Sequence, residues 1–593
     1  MTELVFKGKE FVYNHHLAVP TRPLVPHPEK GVGEPSLDGN LIIHGDNLHA
    51  LKALLPLYAG KVDCVFIDPP YNTGNEGWVY NDNVNSPMIK EWLGKEVGLE
   101  DGLRHDKWCA MMWPRLRLLH ELLAEDGIIF ICIDDGELSR LIGICQEIFG
   151  EENHMATFVW RSRTSEDTRN TVGASVDHEY VVSFSKNRMA AFLGSEIDID
   201  KFSNPDNDPR GPWRSSDLTG LATKEQRPNL HYDLINPETG INYGCPERGW
   251  RYDKEKMYRK ISDNRIIWPK NPNGRPRHKL FLYEIGNKRK NVSTWVDGHA
   301  TYMGTRELSS ILGNRIFDFP KPSSLVEFFI SQHPNKNAIV LDSFAGSGTT
   351  AHAVLEANKR DGGNRKFILV ECEDYADSLT AERVRRVIRG YAFTGTQKTE
   401  LLRKKLTWSA LKKADQILHE VEGLENLHEH EFDNIRKTVK DGELVVVGEK
   451  KVEERVEGLG GSFTFCTLGE PIDLDRILTG EQLPGFEQLG AVLFHMAAHR
   501  AADTAAMDAE SGYLGETEEH VFWLIYKPDL EWLKSAEAAL TLQRARQIAA
   551  SNPQKKHIVF AAARFVSRKL LAEEKLPVEF APLPYALFRI ERD

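Results

Sequence analysis

The sequence lacks several features that would assign it to familiar structural classes. Its seven cysteines are scattered without a Cys-x-x-Cys pair, which argues against a disulfide framework and a zinc knuckle. No apolar stretch approaches the roughly 20 residues of a membrane span. The first ten residues, MTELVFKGKE, contain no apolar signal-peptide segment. We therefore expect a cytoplasmic protein without a membrane contact.

Positive charge is also scarce overall, but it is unevenly distributed. The 593 residues carry a formal net charge of −12, and 41% of them are hydrophobic, which is ordinary for a globular chain of several domains. Residues 251–290 nevertheless contain 13 Lys or Arg against 4 Asp or Glu. A basic patch on an acidic chain is typical of a nucleic-acid footprint, although a solvated loop face fits the charges equally well.

Continuous apolar runs predict buried parallel strands separated by helices. LIIHG at Leu41, VDCVFID at Val62 and GIIFICID at Gly127 are too uniformly apolar for a half-exposed sheet. Residues 194–314 then change to loops rich in Pro, Gly and Trp. Strand, glycine turn and helix return in NAIVLDSFAGSGTTAHAVLEA at Asn337. This order predicts an α/β fold, a doubly wound Rossmann-like sheet interrupted by an inserted module.

The segment FAGSGTT, from Phe344 to Thr350, opens a helix directly after a predicted strand. Glu371 ends the next strand, 23 residues after Gly348. Glycines in such a turn let the backbone approach a ligand, and an acid about 20 residues further on is suited to ribose hydroxyls. The motif lacks the lysine of a phosphate loop and the third glycine of a dinucleotide site. A nucleoside ligand without a phosphate tail remains, although a purely structural turn is also open.

A second motif, Asp68-Pro69-Pro70-Tyr71, follows the apolar run VDCVFI. Proline has no backbone N–H and a fixed φ, so two prolines end the strand and stiffen the turn beyond it. The sequence therefore places a carboxylate and an aromatic ring on a rigid ledge at a strand end.

Together the two motifs resemble those of the amino-methylating DNA methyltransferases, the DPPY family. The DPPY half precedes the variable module and the glycine half follows it, an order that resembles the beta group of this family. GDNLHAL at Gly45 and FPKPSSLVEF at Phe319 are similar to further segments of these enzymes. The resemblance covers roughly residues 41–390.

The resemblance implies a DNA (adenine-N6) methyltransferase that acts on a base flipped out of double-stranded DNA. Asp68 and the carbonyl of Pro69 would accept the two N–H bonds of the target amine, which localises its lone pair. Pro70 would hold these acceptors in place, and Tyr71 would stack on the flipped base.

The implied cofactor is S-adenosyl-L-methionine, and no metal is expected. Glu371 would take the ribose hydroxyls, and Asp46 would meet the adenine. For Phe344 the alternative of simple core packing stays open. For Asp46 and Glu371 the alternative of an ordinary acid in a turn stays open. The full cofactor-binding set is Asp46, Asn47, Asp68, Lys321, Ser323, Asp342, Phe344, Ala345, Gly346, Ser347, Gly348, Thr349 and Glu371.

The inserted module is predicted to recognise the DNA. Basic residues cluster there around prolines and glycines, interleaved with Trp250, Tyr252, Trp268 and Tyr283. The predicted DNA-binding residues are Arg275, Arg277, Lys279, Lys288, Arg289 and Lys290.

Four regions follow from these motifs: residues 1–193 carry the catalytic half, 194–314 target recognition, 315–395 the cofactor half, and 396–593 a C-terminal helical and α/β domain. The motifs with this long tail resemble the modification (Mod) subunits of type III restriction–modification systems. That resemblance implies a homodimer and a separate helicase–nuclease restriction subunit. Two alternatives stay open, a cytosine-N4 methyltransferase and a catalytically inactive DNA-binding specificity subunit.

Overall fold

The computed structural model describes residues 3–73, 102–166, 173–271, 273–285, 289–313, 316–440, 442–472, 477 and 482–583. The chain forms two compact units. Met1–Phe192 and Ser293–Asp593 make the larger unit, and Leu193–Val292 make the smaller one.

The strands are numbered here in chain order. They are β1 (Leu24–Pro26), β2 (Leu41–His44), β3 (Val62–Ile67), β4 (Leu123–Ile133), β5 (His154–Trp160), β6 (Glu179–Ser185), β7 (Trp213–Asp217), β8 (Ile266–Ile267), β9 (Arg277–Phe281), β10 (Trp295–Val296), β11 (Ile339–Asp342), β12 (Lys366–Glu371), β13 (Gly390–Lys405), β14 (Asn434–Lys440), β15 (Glu443–Glu457), β16 (Thr464–Leu468), β17 (Tyr513–Glu516), β18 (His520–Ile525), β19 (Ala539–Leu540), β20 (Lys556–Ala561), β21 (Ala563–Arg564) and β22 (Val578–Pro582).

The α-helices lie between these strands in both units. They are Lys9–Val12, His15–Ala18, Asn47–Tyr58, Arg104–Leu122, Leu138–Phe149, Lys254–Ser262, Leu282–Ile285, Thr301–Leu312, Ser323–Ile330, Thr349–Asp361, Glu382–Arg389, Trp408–Leu411, Ala414–His428, Phe486–Ala498, Leu530–Leu533, Leu542–Ser551 and Arg568–Glu573. Among the described residues, no helix combines the length and hydropathy that a bilayer crossing requires.

The larger unit is built on one ten-stranded sheet in the order β1-β16-β2-β12-β11-β3-β4-β6-β5-β10. The six strands from β16 to β4 run parallel, and β6 is antiparallel to both β4 and β5. The middle residues of the central strands, such as Cys64–Ile67 and Ile128–Ile133, are apolar and buried, as is typical of parallel strands that are covered on both faces. The predicted α/β fold class is confirmed, with a mixed rather than purely parallel sheet.

Strand β16 revises the predicted boundary at residue 396. The segment beyond that residue was expected to form a separate domain, but Thr464–Leu468 pair with β2 on one side and β1 on the other. The side chain of Phe465 is 0% exposed in this position. Five residues with a partner more than 400 positions earlier leave no local signal, so the sequence could not reveal this pairing.

The rest of the described C-terminal region forms three smaller sheets, one of which is the two-stranded pair of β19 and β21. β14 and β15 form an antiparallel hairpin, and β15 also pairs with the long strand β13. A four-stranded sheet in the order β17-β18-β20-β22 follows, with apolar clusters that include Phe522 and Val559.

The smaller unit has its own core. Strands β7, β9 and β8 form an antiparallel sheet, and Trp250 is packed with Leu218, Leu234 and Met257 at 1% exposure. Tyr252 and Trp268 border the same cluster. Trp250 is therefore a core residue of the unit, and Tyr252 and Trp268 lie at the edge of that core, whereas Tyr283 is exposed.

We predict that Phe465→Ala lowers the stability of the ten-stranded sheet by about 3 kcal/mol, the usual result of deleting a fully buried Phe side chain. Hydrogen exchange should then accelerate in β2, because β16 supplies one of its two neighbours. The matched control is Val439→Ala on β14, where the side chain is 62% exposed. Unchanged exchange in β2 of the Phe465 variant would contradict the pairing.

Candidate active site

Four predicted site acids lie at the same edge of the large sheet. Asp46 follows β2, Asp68 follows β3, Asp342 ends β11 and Glu371 ends β12. These strands are neighbours and run parallel, so their carboxyl ends meet. Backbone hydrogen bonds join the loops beyond them, since Gly45 N–H donates to the carbonyl of Glu371 at 2.9 Å. The edge is the usual ligand position in a doubly wound sheet.

The ledge, which is the turn Asp68–Tyr71 after β3, is held in place by hydrogen bonds to two other parts of the fold. The indole N–H of Trp108 donates to the carbonyl of Pro70 at 2.7 Å. Asn72 adopts a positive φ of 61°, and its side-chain amide donates to the buried carboxylate of Glu137 at 2.6 Å. Both anchors lie outside the motif itself, so Asp68 and Tyr71 are held by the surrounding fold as well as by the prolines.

Lys321 connects this ledge to the opposite side of the site. Its ammonium lies 2.8 Å from Asp68 Oδ2 and 3.6 Å from Glu179 Oε2. The hydroxyl of Tyr71 donates to the same Glu179 oxygen at 3.0 Å. The Lys321 ammonium is also 5.0 Å from the centre of the Tyr71 ring, within cation–π range. Two carboxylates, one ammonium and one phenol therefore form a single network.

Charges and burial act against each other in this network. Burial lowers the pKa of Lys321, but the adjacent Asp68 and Glu179 carboxylates raise it above its ordinary value, so the ammonium stays protonated. Burial, followed by the same two carboxylates, raises the pKa of Tyr71 well above its ordinary value. Tyr71 is thus a neutral hydrogen-bond donor.

The two carboxylate oxygens of Asp68 differ in their contacts. Oδ2 is bound by Lys321, whereas Oδ1 is buried and has no hydrogen-bond partner within the part of the chain that the structure describes. A buried carboxylate oxygen without a donor is costly. The geometry is that of an acceptor held ready for an N–H or O–H group of a ligand.

The glycine turn after β11 has the backbone that its sequence predicts. Gly346 and Gly348 have positive φ values of 50° and 77°. A Cβ atom on Gly348 would lie 3.0 Å from the carbonyl oxygen of Thr380. Glu371 accepts from the Gly346 N–H at 2.7 Å and from the Glu373 N–H at 3.0 Å. Its carboxylate thus shapes the turn from the neighbouring strand.

Asp342 is the most perturbed acid of the site. Its carboxylate accepts from the Phe344 N–H at 3.0 Å and from the Thr350 hydroxyl at 2.5 Å. Burial, together with the charges of Asp68 and Glu371, raises its pKa to about 7 in spite of these bonds. The group therefore titrates near neutral pH. Phe344 is partly buried against the core of the sheet.

The side chains of Ser347 and Thr349 point into the protein. Both hydroxyls accept from the guanidinium of Arg383, at 3.0 Å and 2.8 Å. The buried Ala345 donates its N–H to the carbonyl of Val370 at 3.0 Å. These three residues of the predicted cofactor set are therefore structural supports of the turn through their side chains or backbone.

Asp46 and Asn47 begin the helix Asn47–Tyr58. Asp46 caps it by accepting from the N–H groups of Leu48 and His49. Burial raises the pKa of Asp46, but the hydrogen bond from His49 and the charge of Arg115 lower it well below its ordinary value. Asn47 donates to the carbonyl of Ser343 at 3.0 Å and so ties this helix to the turn after β11.

Ser323 is buried at the start of the helix Ser323–Ile330. Its N–H donates to the carboxylate of Glu307 at 3.1 Å. The segment from Lys321 to Ser323 is thus fixed at both ends, by Asp68 and by Glu307. Lys321, expected from the resemblance to contact the cofactor, has its ammonium on the catalytic ledge.

The predicted DNA-binding residues lie in the smaller unit. Arg275, Arg277, Arg289 and Lys290 are exposed. Lys279 is a correction, because its side chain is 5% exposed and its ammonium is paired with Asp206 at 2.5 Å and Asp208 at 2.9 Å. A buried and neutralised ammonium is not available to a phosphate. Lys288 lies outside the described residues.

Sequence reasoning missed Glu179 and Arg383. Glu179 is the first residue of β6, and its proximity to Asp68 follows only from the antiparallel pairing of β6 with β4. Arg383 looks like one of several charges on the helix Glu382–Arg389. Its complete burial depends on the packing of that helix, and no local pattern indicates it.

The comparisons with known proteins agree on one family. The family model described as DNA methylase matches residues 62–382. The StyLTI Mod subunit of a type III restriction–modification enzyme from Salmonella typhimurium is 30% identical over 65% of this chain. The EcoPI Mod subunit from an Escherichia phage is 32% identical over 56% of it. The matches span 62% and 58% of these relatives' own lengths.

A shorter relative is covered more completely. The type II methyltransferase M.KpnI from Klebsiella pneumoniae is 33% identical over 55% of this chain, and the match includes 79% of that protein. The family model itself covers more than half of the present sequence, including the ledge after β3 and the glycine turn after β11. The chain therefore belongs to the DNA methylase family.

Proposed function

We propose that this chain transfers a methyl group from S-adenosyl-L-methionine to the exocyclic N6 amine of adenine in double-stranded DNA. The observation that supports this most strongly is the unpartnered Oδ1 of Asp68, beside an Oδ2 that is neutralised by Lys321. The site offers one charged acceptor, in a fixed place, to a substrate N–H group.

The target amine is a poor nucleophile because its lone pair is delocalised into the ring. Asp68 Oδ1 and the carbonyl of Pro69 accept its two N–H bonds, which favours a pyramidal nitrogen with a localised lone pair. The Lys321 ammonium pairs with Oδ2 of Asp68 at 2.8 Å, and the prolines keep both acceptors in place. Little reorganisation is then needed as charge develops on the nitrogen.

Tyr71 supplies the surface on which the flipped base stacks. Its hydroxyl is bound to Glu179 at 3.0 Å, which fixes the tilt of the ring. Positioning of the base against the methyl donor accounts for most of the rate in such a transfer. Glu179 and Lys321 are therefore part of the site that orients the base.

The residues at the other strand ends fit a nucleoside cofactor. The positive φ values of Gly346 and Gly348 open the turn to a close approach, and Glu371 and Asp46 present carboxylates at its two sides. When bound, S-adenosyl-L-methionine supplies the activated methyl group. Phe344, Asp342 and the backbone of the turn would hold this cofactor.

The smaller unit, Leu193–Val292, is proposed to recognise the target sequence. Its exposed cations are those expected to contact phosphates, and some of the arginines to read guanine edges. The type III relatives support a role as a modification subunit, with a separate restriction subunit as partner. A homodimer and a cytoplasmic location belong to the same proposal.

The first test identifies the product. Duplex DNA incubated with the chain and methyl-labelled S-adenosyl-L-methionine should yield labelled N6-methyladenine after digestion to nucleosides. Labelled N4-methylcytosine would keep the methyltransferase but change the target base. Cofactor-saturated protein that labels neither base in any duplex would support the inactive specificity subunit instead.

We predict that Asp68→Ala reduces methyl transfer by about 10²–10³-fold or more, the usual effect of removing one preorganised polar group at a reacting centre. Asp68→Asn should be nearly as inactive, because its amide cannot balance Lys321. Tritium transfer from labelled cofactor measures the rate. Asp126→Ala, which removes an exposed acid at the beginning of β4, is the control. Near-normal turnover of the Asp68 variants would contradict the proposed mechanism.

A third prediction concerns the smaller unit. Replacing Arg275, Arg289 and Lys290 with Gln should weaken binding to all duplexes and flatten its salt dependence by about one unit of slope per lost phosphate contact. Cofactor affinity should not change. Fluorescence anisotropy over a salt series provides the measurement.

The matched control for charge removes three exposed cations elsewhere, with Lys534, Arg546 and Lys569 changed to Gln. This variant has the same net charge as the triple variant of the smaller unit. Equal losses of affinity in both variants would mean that net charge alone governs binding.

A further inference from the structure

Arg383 is a completely buried cation next to the glycine turn. Its Nη1 donates to Ser347 Oγ at 3.0 Å and to Thr349 Oγ1 at 2.8 Å. Its Nη2 lies 3.4 Å from the carboxylate of Glu307 and 3.3 Å from His352 Nδ1. The side chain is 0% exposed, so all of these contacts are made away from water.

The carboxylate of Glu307 connects Arg383 to two further groups. Besides Arg383, its carboxylate contacts His352 Nδ1 at 2.9 Å and accepts from the N–H of Ser323 at 3.1 Å. Ser323 is two residues beyond Lys321, whose carbonyl accepts from the hydroxyl of Thr349 at 3.2 Å. The same few groups therefore touch both the glycine turn and the segment that carries the catalytic ammonium.

The charges in this cluster are balanced. Hydrogen bonds to Glu307 and to Glu356, which is 3.4 Å away, raise the pKa of His352 even though burial lowers it. Burial raises the pKa of Glu307, but His352 and Arg383 lower it to about 2. Two cations thus face two carboxylates. Glu307, His352 and Glu356 lie close enough together to hold a metal ion, but their carboxylate and imidazole atoms are already paired with each other and, for Glu307, with Arg383.

We propose that Arg383 is a positioning residue that fixes the glycine turn relative to the Lys321–Ser323 segment through its contact with Glu307. The turn approaches the cofactor, and Lys321 holds Asp68 for the target base. Arg383 thereby sets the distance between the cofactor site and the site of the target base, without touching either substrate. This inference rests on the proposed methyltransferase function.

The test compares Arg383→Met with Arg365→Met. Arg365 is a similarly buried arginine, 4% exposed, that binds Asp361 at the far end of the helix Thr349–Asp361. Both substitutions remove a buried cation that contacts an end of the helix Thr349–Asp361, and both should lower Tm. Only the Arg383 variant should weaken S-adenosyl-L-methionine binding in calorimetry, by about tenfold or more, because only it frees the hydroxyls of the turn.

Steady-state kinetics sharpen the comparison. Arg383→Met should raise KM for the cofactor and lower kcat, and should leave KM for DNA unchanged. Arg383→Lys keeps the charge but lacks the forked guanidinium that binds Ser347, Thr349 and Glu307 together. Its KM for the cofactor and its kcat should therefore lie between those of the unmodified chain and those of Arg383→Met. If Arg383→Met does not fold, Glu307→Gln serves instead. It keeps an acceptor for the Ser323 N–H, removes the charge facing Arg383, and should weaken cofactor binding in the same direction.

Equal cofactor affinities of folded Arg383→Met and Arg365→Met, measured well below their Tm values, would overturn the inference. Normal affinity of Glu307→Gln would do the same if the Arg383 variant does not fold. Failure of the proposed function looks different. The unmodified chain would then bind no S-adenosyl-L-methionine, or would bind it without methylating DNA.

Discussion

The ammonium group of Lys321 joins the two parts of the larger unit that the insertion separates along the chain. Asp68 and Glu179 come before the insertion, and Lys321 comes after it. Without this cation, the partly buried carboxylates of Asp68 and Glu179 would lose the ion pairs that connect them. The position of Asp68, the orientation of Tyr71 and the availability of Asp68 Oδ1 all depend on where this one charge is placed.

Much of this arrangement can be predicted from local sequence. The runs at Leu41, Val62, Gly127 and Lys366 form buried strands of one sheet as expected, since an uninterrupted apolar segment fits a strand covered on both faces. The two motifs also identify the correct edge. Proline and glycine restrict the backbone so strongly that DPPY and FAGSGT specify their own turns, and parallel neighbours must present those turns side by side.

The remaining features depend on partners that are distant in sequence. Lys279 has the composition of a DNA contact, but its two aspartates lie more than 70 residues earlier, so its burial cannot be inferred from the basic cluster. Ser347 and Thr349 belong to the glycine motif, yet Arg383 turns their hydroxyls inward. Glu179 reaches the site only through an antiparallel register. In each case a long-range ion pair or hydrogen bond decides what the side chain does, and such pairs leave no periodic pattern.

The position of β16 also has a consequence for synthesis of the protein. Leu41 of β2 pairs with Thr464, which is made 423 residues later. At a translation rate of about 5–20 residues per second, the edge of β2 waits on the order of tens of seconds for this neighbour. An apolar strand with an open edge is prone to pair with other chains. Until Thr464–Leu468 have been made, this edge of β2 therefore stays open to such pairing, and the ten-stranded sheet is completed on this side only afterwards.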